Sequence, residues 1–192
     1  MSALAPAVFL DRDGTLIEDA GYLDDLKRIA LYPATVDALR VLARGGFRLV
    51  VITNQSGIAL GLFDEPFVTR THEHMQAQLV AAGAAIDGYY YCPHHPSGRV
   101  ADFTQVCTCR KPGAGLVQRA AADLQIDLSR SWMIGDRWSD VQVATTAGLA
   151  GGILVRTGSG RSAEAKPVDD VTPALIADDI MEAAAWLLRQ GR

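Results

Sequence analysis

The sequence predicts an α/β fold, a three-layer, Rossmann-like parallel sheet with helices packed on both faces. Short apolar runs of strand type alternate with helical patterns along the 192 residues, and this alternation favours a parallel sheet. The chain is short for more than one domain, so we expect a single domain over 1–192. About 40 residues separate the first two strands and one helix uses much of them, which leaves no room for a large cap domain.

Five strands and five helices are predicted from apolar runs and from the glycines and prolines that bound them. The strands are expected at 7–10, 47–53, 87–91, 132–135 and 152–156. The first helix opens at Pro33 and ends at Gly45, and the others are expected at 66–82, 112–124, 136–147 and 173–188. The segments 17–29, 92–109 and 158–167 are expected to be loops.

Composition limits the possible partners. The net charge of −4 argues against a general nucleic-acid binder, and no apolar stretch is long enough to cross a bilayer. The first six residues lack the basic and apolar regions of an export signal. We therefore expect a cytoplasmic monomer that acts on a small molecule, in which three cysteines indicate metal binding or free thiols rather than disulfides.

Charged and polar groups follow the predicted strands at the points where they end. Asp11 and Asp13 follow the first strand, Thr53 ends the second and Asp136 follows the fourth, while Lys111 precedes a helix. The carboxyl ends of parallel strands meet at one edge of the sheet, where ligands bind. Two close carboxylates favour a cation between them, and Mg²⁺ prefers oxygen ligands of this kind. Together with a hydroxyl and a lysine, this set suits phosphoryl transfer.

The same motifs, in the same order, resemble those of phosphatases of the haloacid dehalogenase superfamily. The matching segments are 11–15, Thr53, Lys111 and 135–140. The resemblance implies a haloacid dehalogenase fold, with Asp11 as the nucleophile that forms an aspartyl-phosphate and Asp13 as the general acid and base. It also implies that Thr53 and Lys111 hold the transferring phosphoryl group. The implied Mg²⁺ ligands are Asp11, Asp136 and the backbone carbonyl of Asp13, with Asp140 supporting the metal site.

The loop 92–109 carries a candidate zinc site. Three sulfurs and one imidazole complete a tetrahedral set with no open position, as in a structural site: Cys92, His94, Cys107 and Cys109. The neighbouring His95 could replace His94, and the alternative interpretation is three free thiols beside a surface histidine pair. The ion would order a loop poor in apolar residues and so position Arg110 and Lys111.

A narrower resemblance joins this loop to the phosphatase motifs. Segments 11–15, 19–22, 53–59, 92–96 and 107–112 are similar to those of the heptose bisphosphate phosphatase family, which supplies nucleotide-activated heptose for lipopolysaccharide. The resemblance implies substrate contacts from Asp19, Gly21, Tyr22, Asn54, Gln55, Ser56, Arg110 and Arg137.

The sequence departs from this family at two positions, and it leaves two other functions open. Arg137 stands where lysine is common, and Leu60 stands where arginine is common. The sister family of histidinol-phosphate phosphatases remains an alternative, because Asp19, Asp24 or Asp25 could hold an ammonium group. A zinc-stabilised module that binds sugar phosphates without turnover is the non-enzyme alternative.

Overall fold

The structure is a computed structural model that describes residues 4–19 and 21–190. Expectations for residues 1–3 of the N-terminal segment, for Ala20 in the 17–29 loop and for residues 191–192 of the domain lie outside the described residues.

Within the described residues, the strands form one sheet in which every pair is parallel, as expected. In chain order they are β1 (Ala7–Leu10), β2 (Arg48–Asn54), β3 (Gly88–Cys92), β4 (Trp132–Gly135), β5 (Gly151–Val155) and β6 (Leu175–Ala177). Their order across the sheet is β3-β2-β1-β4-β5-β6, which places β1 and its carboxylates between β2 and β4.

The helices that cover the sheet are α1 (Thr35–Arg44), α2 (Ser56–Ala59), α3 (Glu65–Ala81), α4 (Gly115–Leu124), α5 (Trp138–Ala147), α6 (Gly160–Glu164) and α7 (Ile180–Gln190). Side chains of a strand alternate between faces, and all four of β1 are fully buried. Val8 and Leu10 join the core beneath α1, α3 and α7, whereas Ala7 and Phe9 join the core beneath α4 and α5. No helix of the described residues is long and apolar enough to cross a membrane.

The prediction of a closing helix at 173–188 was wrong for the first part of that range. Residues 175–177 form the short strand β6 beside β5, so the sheet has a sixth strand that the sequence prediction missed. The helix starts only at Ile180, because the Asp179 carboxylate accepts hydrogen bonds from the backbone N–H groups of Met181 and Glu182.

The predicted loop at 158–167 contains the short helix α6. Two contacts hold it against the rest of the protein. The Trp138 indole donates to the carbonyl of Ala163 at 2.8 Å, and the Arg156 guanidinium pairs with Glu164 at 2.7 Å. Tertiary contacts therefore order a segment whose composition indicated a loop.

Three further helices begin later than predicted. At α5, Asp140 accepts a hydrogen bond from the backbone N–H of Arg137, so Arg137 remains extended and the helix starts at Trp138. At α4, Gly113 and Gly115 donate backbone hydrogen bonds to the carbonyls of Arg110 and Thr108, which closes turns before the helix. At α1, a turn that follows Pro33 delays the start to Thr35.

Candidate active site

The carboxyl ends of β1, β2 and β4 border a cavity of about 440 Å³. The structure brings to it every residue that the sequence predicted for catalysis or substrate contact. These lining residues are Asp11, Asp13, Asp19, Gly21, Tyr22, Thr53, Asn54, Gln55, Ser56, Arg110, Lys111 and Arg137. Asp136 directly follows β4 and is fully buried, and its carboxylate clusters with that of Asp11, which lines the cavity.

Lys111 is the buried cation at the centre of the site. Its Nζ lies 2.5 Å from Oδ1 of Asp11 and 2.7 Å from Oδ1 of Asp140, and it donates to the carbonyl of Ile52 at 2.9 Å. Burial opposes the positive charge, but the two carboxylates more than offset this effect and raise the pKa of Lys111. Lys111 is therefore a fixed cation beside the candidate nucleophile.

Asn54 fixes the segment that carries this lysine. Its Oδ1 accepts a hydrogen bond from the backbone N–H of Lys111 at 3.0 Å, and its Nδ2 donates to the Lys111 carbonyl at 3.2 Å. Both polar ends of the amide are thus engaged with the backbone. The structure gives Asn54 a positioning contact, whereas the sequence predicted a substrate contact.

Asp11, Asp136 and Asp140 form a buried carboxylate cluster in which one oxygen of each lies within 4.8 Å of the others. Asp136 Oδ2 accepts from the backbone N–H of Ser159 at 2.7 Å. Its buried Oδ1 accepts no hydrogen bond from the residues that the structure describes, and Nε of Arg137 lies 3.9 Å away, too far for one. A buried carboxylate oxygen without a hydrogen bond costs free energy unless a cation satisfies it. This geometry fits a divalent cation held by Asp11 and Asp136.

Electrostatics supports the same conclusion. Burial raises the pKa of Asp11 to about 8, although Lys111 opposes this shift. Burial and the adjacent Asp140 raise the pKa of Asp136 to about 6. One lysine therefore does not offset the negative charge of this cluster, and a divalent cation would return the carboxylates to their ionised form.

The carboxylate of Asp13 faces a separate set of donors. Its Oδ2 accepts from Nε2 of Gln55 at 2.9 Å and lies 3.5 Å from the Thr53 hydroxyl. The same Gln55 nitrogen is 2.8 Å from that hydroxyl, so these three side chains form one group. Asp11 and Asp13 thus lie in different environments, as two carboxylates with different roles require.

Charged groups at the rim already contact one another. Arg137 Nη2 lies 3.2 Å from Oδ2 of Asp19, whose other oxygen accepts from the backbone N–H of Gly21 at 2.9 Å. Arg110 Nη1 donates to the carbonyl of His94 at 3.3 Å. Tyr22 is half exposed at the same rim.

The predicted metal loop is assembled as expected, with the three free cysteines around one imidazole. The Sγ atoms of Cys92, Cys107 and Cys109 lie 3.2–3.5 Å apart, and Nδ1 of His94 lies 3.3 Å from that of Cys109. These distances are too long for disulfides, and the four ligand atoms lie close enough together for one ion to bind them all.

The two adjacent histidines differ in their contacts. Nδ1 of His94 belongs to the cysteine cluster, whereas Nδ1 of His95 accepts a hydrogen bond from the backbone N–H of Ser97 at 3.1 Å. His94, rather than its neighbour, is therefore the histidine of the cluster. The cluster ends at Cys109, two residues before Lys111.

Sequence reasoning missed two contributors to the site. Ser159 holds Asp136 from the segment 158–167, which was predicted as a loop and whose role the sequence left open. Arg12 lines the cavity, although strand alternation predicts it on the face opposite its neighbours. The structure also explains why the motif 11–15 contains a glycine at position 14. Its φ of +85° is rare for other residues, and a Cβ there would lie 2.3 Å from Asp136 Oδ2.

The fold and this site define a hydrolase of the haloacid dehalogenase type, and a family model described as HAD-hydrolase-like matches residues 108–183. The chain is 42% identical to the D-glycero-β-D-manno-heptose-1,7-bisphosphate 7-phosphatase of Yersinia pestis over 93% of this chain and 95% of the relative. It is 43% identical to the enzyme of that name in Escherichia coli K12, over 93% of each. The chain belongs to the D-glycero-β-D-manno-heptose-1,7-bisphosphate 7-phosphatase family.

A solved structure agrees with this membership. The D,D-heptose 1,7-bisphosphate phosphatase of B. bronchiseptica, complexed with magnesium and phosphate, superimposes with a TM-score of 0.83 at 31% identity. The match covers 96% of this chain and 99% of that one.

Proposed function

We propose that this protein removes the 7-phosphate of D-glycero-β-D-manno-heptose 1,7-bisphosphate, through an aspartyl-phosphate on Asp11. The observation that carries the proposal is the position of Asp11, which lines the cavity, contacts Lys111 and belongs to the buried carboxylate cluster with Asp136. The relatives' names supply the sugar, and with it a place in nucleotide-activated heptose synthesis.

Mg²⁺ is the proposed catalytic ion, held by Asp11, Asp136 and the backbone carbonyl of Asp13. Magnesium in the B. bronchiseptica enzyme supports this choice. When bound, the ion offsets the repulsion between the Asp11 carboxylate and the phosphate and polarises the phosphoryl oxygens.

The proposed reaction has two steps, phosphoryl transfer to Asp11 and hydrolysis of the aspartyl-phosphate, and each is coupled to a proton transfer. A carboxylate oxygen of Asp11 attacks phosphorus while the bond from phosphorus to the sugar oxygen breaks, and Asp13 gives the departing alkoxide its proton. Water then attacks the phosphorus of the aspartyl-phosphate and gives a proton to Asp13, while the bond from phosphorus to the Asp11 oxygen breaks and inorganic phosphate leaves. Lys111 and Thr53 stabilise the charge on the phosphoryl oxygens in both steps.

Zn²⁺ is the proposed ion of the cysteine cluster, because three thiolates and one imidazole form the closed set typical of structural zinc. Since reduced thiols are needed for this, we place the protein in the cytoplasm. We also propose that it acts as a monomer and a single domain, because one chain supplies every group of the site.

The rim favours a bisphosphate over histidinol phosphate. Arg110 and Arg137 both line the cavity and can attract a second anionic group. Of the three acidic residues that could hold an ammonium group, Asp19 lines the cavity beside Arg137, whereas Asp24 and Asp25 do not line it.

Comparison of kcat/KM tests the substrate assignment. The panel contains both anomers of heptose 1,7-bisphosphate and histidinol phosphate, and the β anomer is expected to be preferred. A clear preference for histidinol phosphate would reverse the assignment. Asp11→Asn should abolish turnover at saturating Mg²⁺ while the fold is retained, and no phosphate release from any sugar phosphate would favour a binding module instead.

A further inference from the structure

Arg12 is a buried arginine whose side chain turns back onto the residue that follows it. The side chain is 2% exposed, with Nη2 3.0 Å from Oδ1 of Asp13 and Nε 3.1 Å from Oδ2. A buried charge is tolerated only when it is paired and hydrogen-bonded. A two-pronged contact also fixes the plane of the carboxylate, which one hydrogen bond would leave free to rotate.

The backbone explains how neighbouring side chains meet. The Arg12 carbonyl accepts hydrogen bonds from the N–H groups of Leu16 at 2.9 Å and Ile17 at 3.1 Å. This tight turn ends the strand at Leu10 and removes the alternation that would separate the two side chains. Arg12 can therefore reach Asp13, where its Nε donates to the same Oδ2 that accepts from Gln55.

His72 of α3, which does not line the cavity, contacts the guanidinium of Arg12. Its Nε2 lies 3.3 Å from Nη1 of Arg12, and its ring stacks on Tyr89 with 4.8 Å between centroids. A guanidinium has only donors, so His72 must accept at Nε2 and be neutral. Burial and the charge of Arg12 agree with this, because they lower the pKa of His72 to about 3.

We infer that Arg12, braced by His72, is a positioning residue that holds the Asp13 carboxylate in the orientation needed for its two proton transfers. The proposed reaction does not otherwise use either side chain. The inference rests on the proposed function, since orientation matters only if Asp13 transfers protons. Neither residue contacts the carboxylate cluster that would hold the metal.

The test uses a property of the leaving group. A sugar alkoxide must be protonated as it departs, whereas 4-nitrophenolate is stable enough to leave without help from an acid. Since kcat/KM reports steps up to the first irreversible one, it isolates the transfer to Asp11 for both heptose 1,7-bisphosphate and 4-nitrophenyl phosphate.

Arg12→Met is expected to lower kcat/KM for the heptose bisphosphate by about 10-fold or more, through kcat rather than KM. With 4-nitrophenyl phosphate the change should stay within about twofold. His72→Phe, which keeps a stacking ring but lacks the acceptor, should cause a selective loss of about threefold, the value of one hydrogen bond. His72→Gln should restore activity, because its amide oxygen can accept from Arg12.

His74→Phe on the exposed face of α3 is the matched control and should change neither rate. Equal losses on both substrates would show a merely structural role and overturn the inference, as would a loss in His72→Phe that Gln does not rescue. If Arg12→Met fails to fold, the His72 pair decides. Asp13→Asn is the reference variant. If it shows no selective loss on the sugar substrate, Asp13 is not the general acid and the proposed function fails. If only Arg12→Met lacks the selective loss, the positioning role of Arg12 fails and the role of Asp13 stands.

Discussion

At the scale of single residues, Lys111 shows how charge is balanced in the site. It is the cation between Asp11 and Asp140, and all three side chains are nearly inaccessible to water. Its removal leaves two buried carboxylates without their partner. Lys111 is therefore expected to contribute to both stability and catalysis.

Lys111→Met is expected to lower the free energy of unfolding by about 3 kcal/mol in EDTA, the cost of breaking a buried ion pair. The rate kcat should fall by about 10²-fold, because one electrostatic contact to the transferring group is lost. Urea unfolding and steady-state kinetics measure the two effects. Lys27→Met, at an exposed position, is the control and should change neither. An unchanged unfolding energy in the Lys111 variant would contradict the described pairing.

The sequence predicts the positions of the site residues better than their contacts. The topology of the sheet predicts which residues meet at the cavity, because each lies at a strand end or in a recognised motif. These residues are Asp11, Asp13, Thr53 and Lys111. The pairing of Asn54 with the Lys111 backbone could not be predicted, because it depends on how closely two segments approach in space. The contact of Arg12 with Asp13 needs a turn that replaces strand alternation.

At the scale of elements, strands and helices with strong periodicity were predicted within a few residues. The strand β6 was missed because three residues are too few for a periodic pattern, and it is defined by its pairing with β5. The helix α6 was missed because contacts from Trp138 and Arg156 order it. Both elements lie in the last third of the chain, where Ala-rich and polar stretches carry little pattern.

The metal loop offers a matched pair of variants at this scale. His94→Ala should reduce bound zinc well below one ion per chain, whereas His95→Ala should keep about one, because only His94 belongs to the cysteine cluster. Metal analysis of the purified proteins measures this. Equal zinc contents in the two variants would contradict the assignment of His94.

The loop also connects to catalysis through sequence proximity, since Cys109 is two residues from Lys111. Cys107→Ser is expected to weaken the loop and to lower kcat/KM by about 10-fold or more, the usual cost of disturbing a metal's surroundings. Substrate kinetics beside limited proteolysis of the loop check this. Zinc-free protein with unchanged activity would contradict it.

At the scale of the whole molecule, the sheet brings together carboxylates that are distant in the sequence. Their burial should make the free energy of unfolding depend on pH. Asp11 and Asp136 have pKa values raised by burial to about 8 and about 6, whereas both would titrate near 4 in the unfolded chain. Between pH 4 and 8 the folded protein therefore holds protons that the unfolded chain has lost. Stability from these groups is fully present below pH 4 and is lost as pH rises through 6 and 8.

Together these two pKa values imply that the metal-free protein loses about 5 kcal/mol of unfolding free energy between pH 5 and 8. Saturating Mg²⁺ should remove or reverse this slope, because a bound cation keeps the carboxylates ionised. Urea unfolding at both pH values, in EDTA and in Mg²⁺, measures it, and Asp136→Asn should reduce the slope. A metal-free protein whose stability rises over this range would contradict the electrostatic description.

The proposed mechanism depends on phosphorylation of Asp11 during turnover. Rapid acid quench after mixing with substrate labelled in its 7-phosphate, followed by peptide mapping, locates the phosphoryl group directly. Transient label is expected on Asp11 and should disappear when the substrate is exhausted. Label on another side chain, or no label while phosphate is still being released, would contradict it.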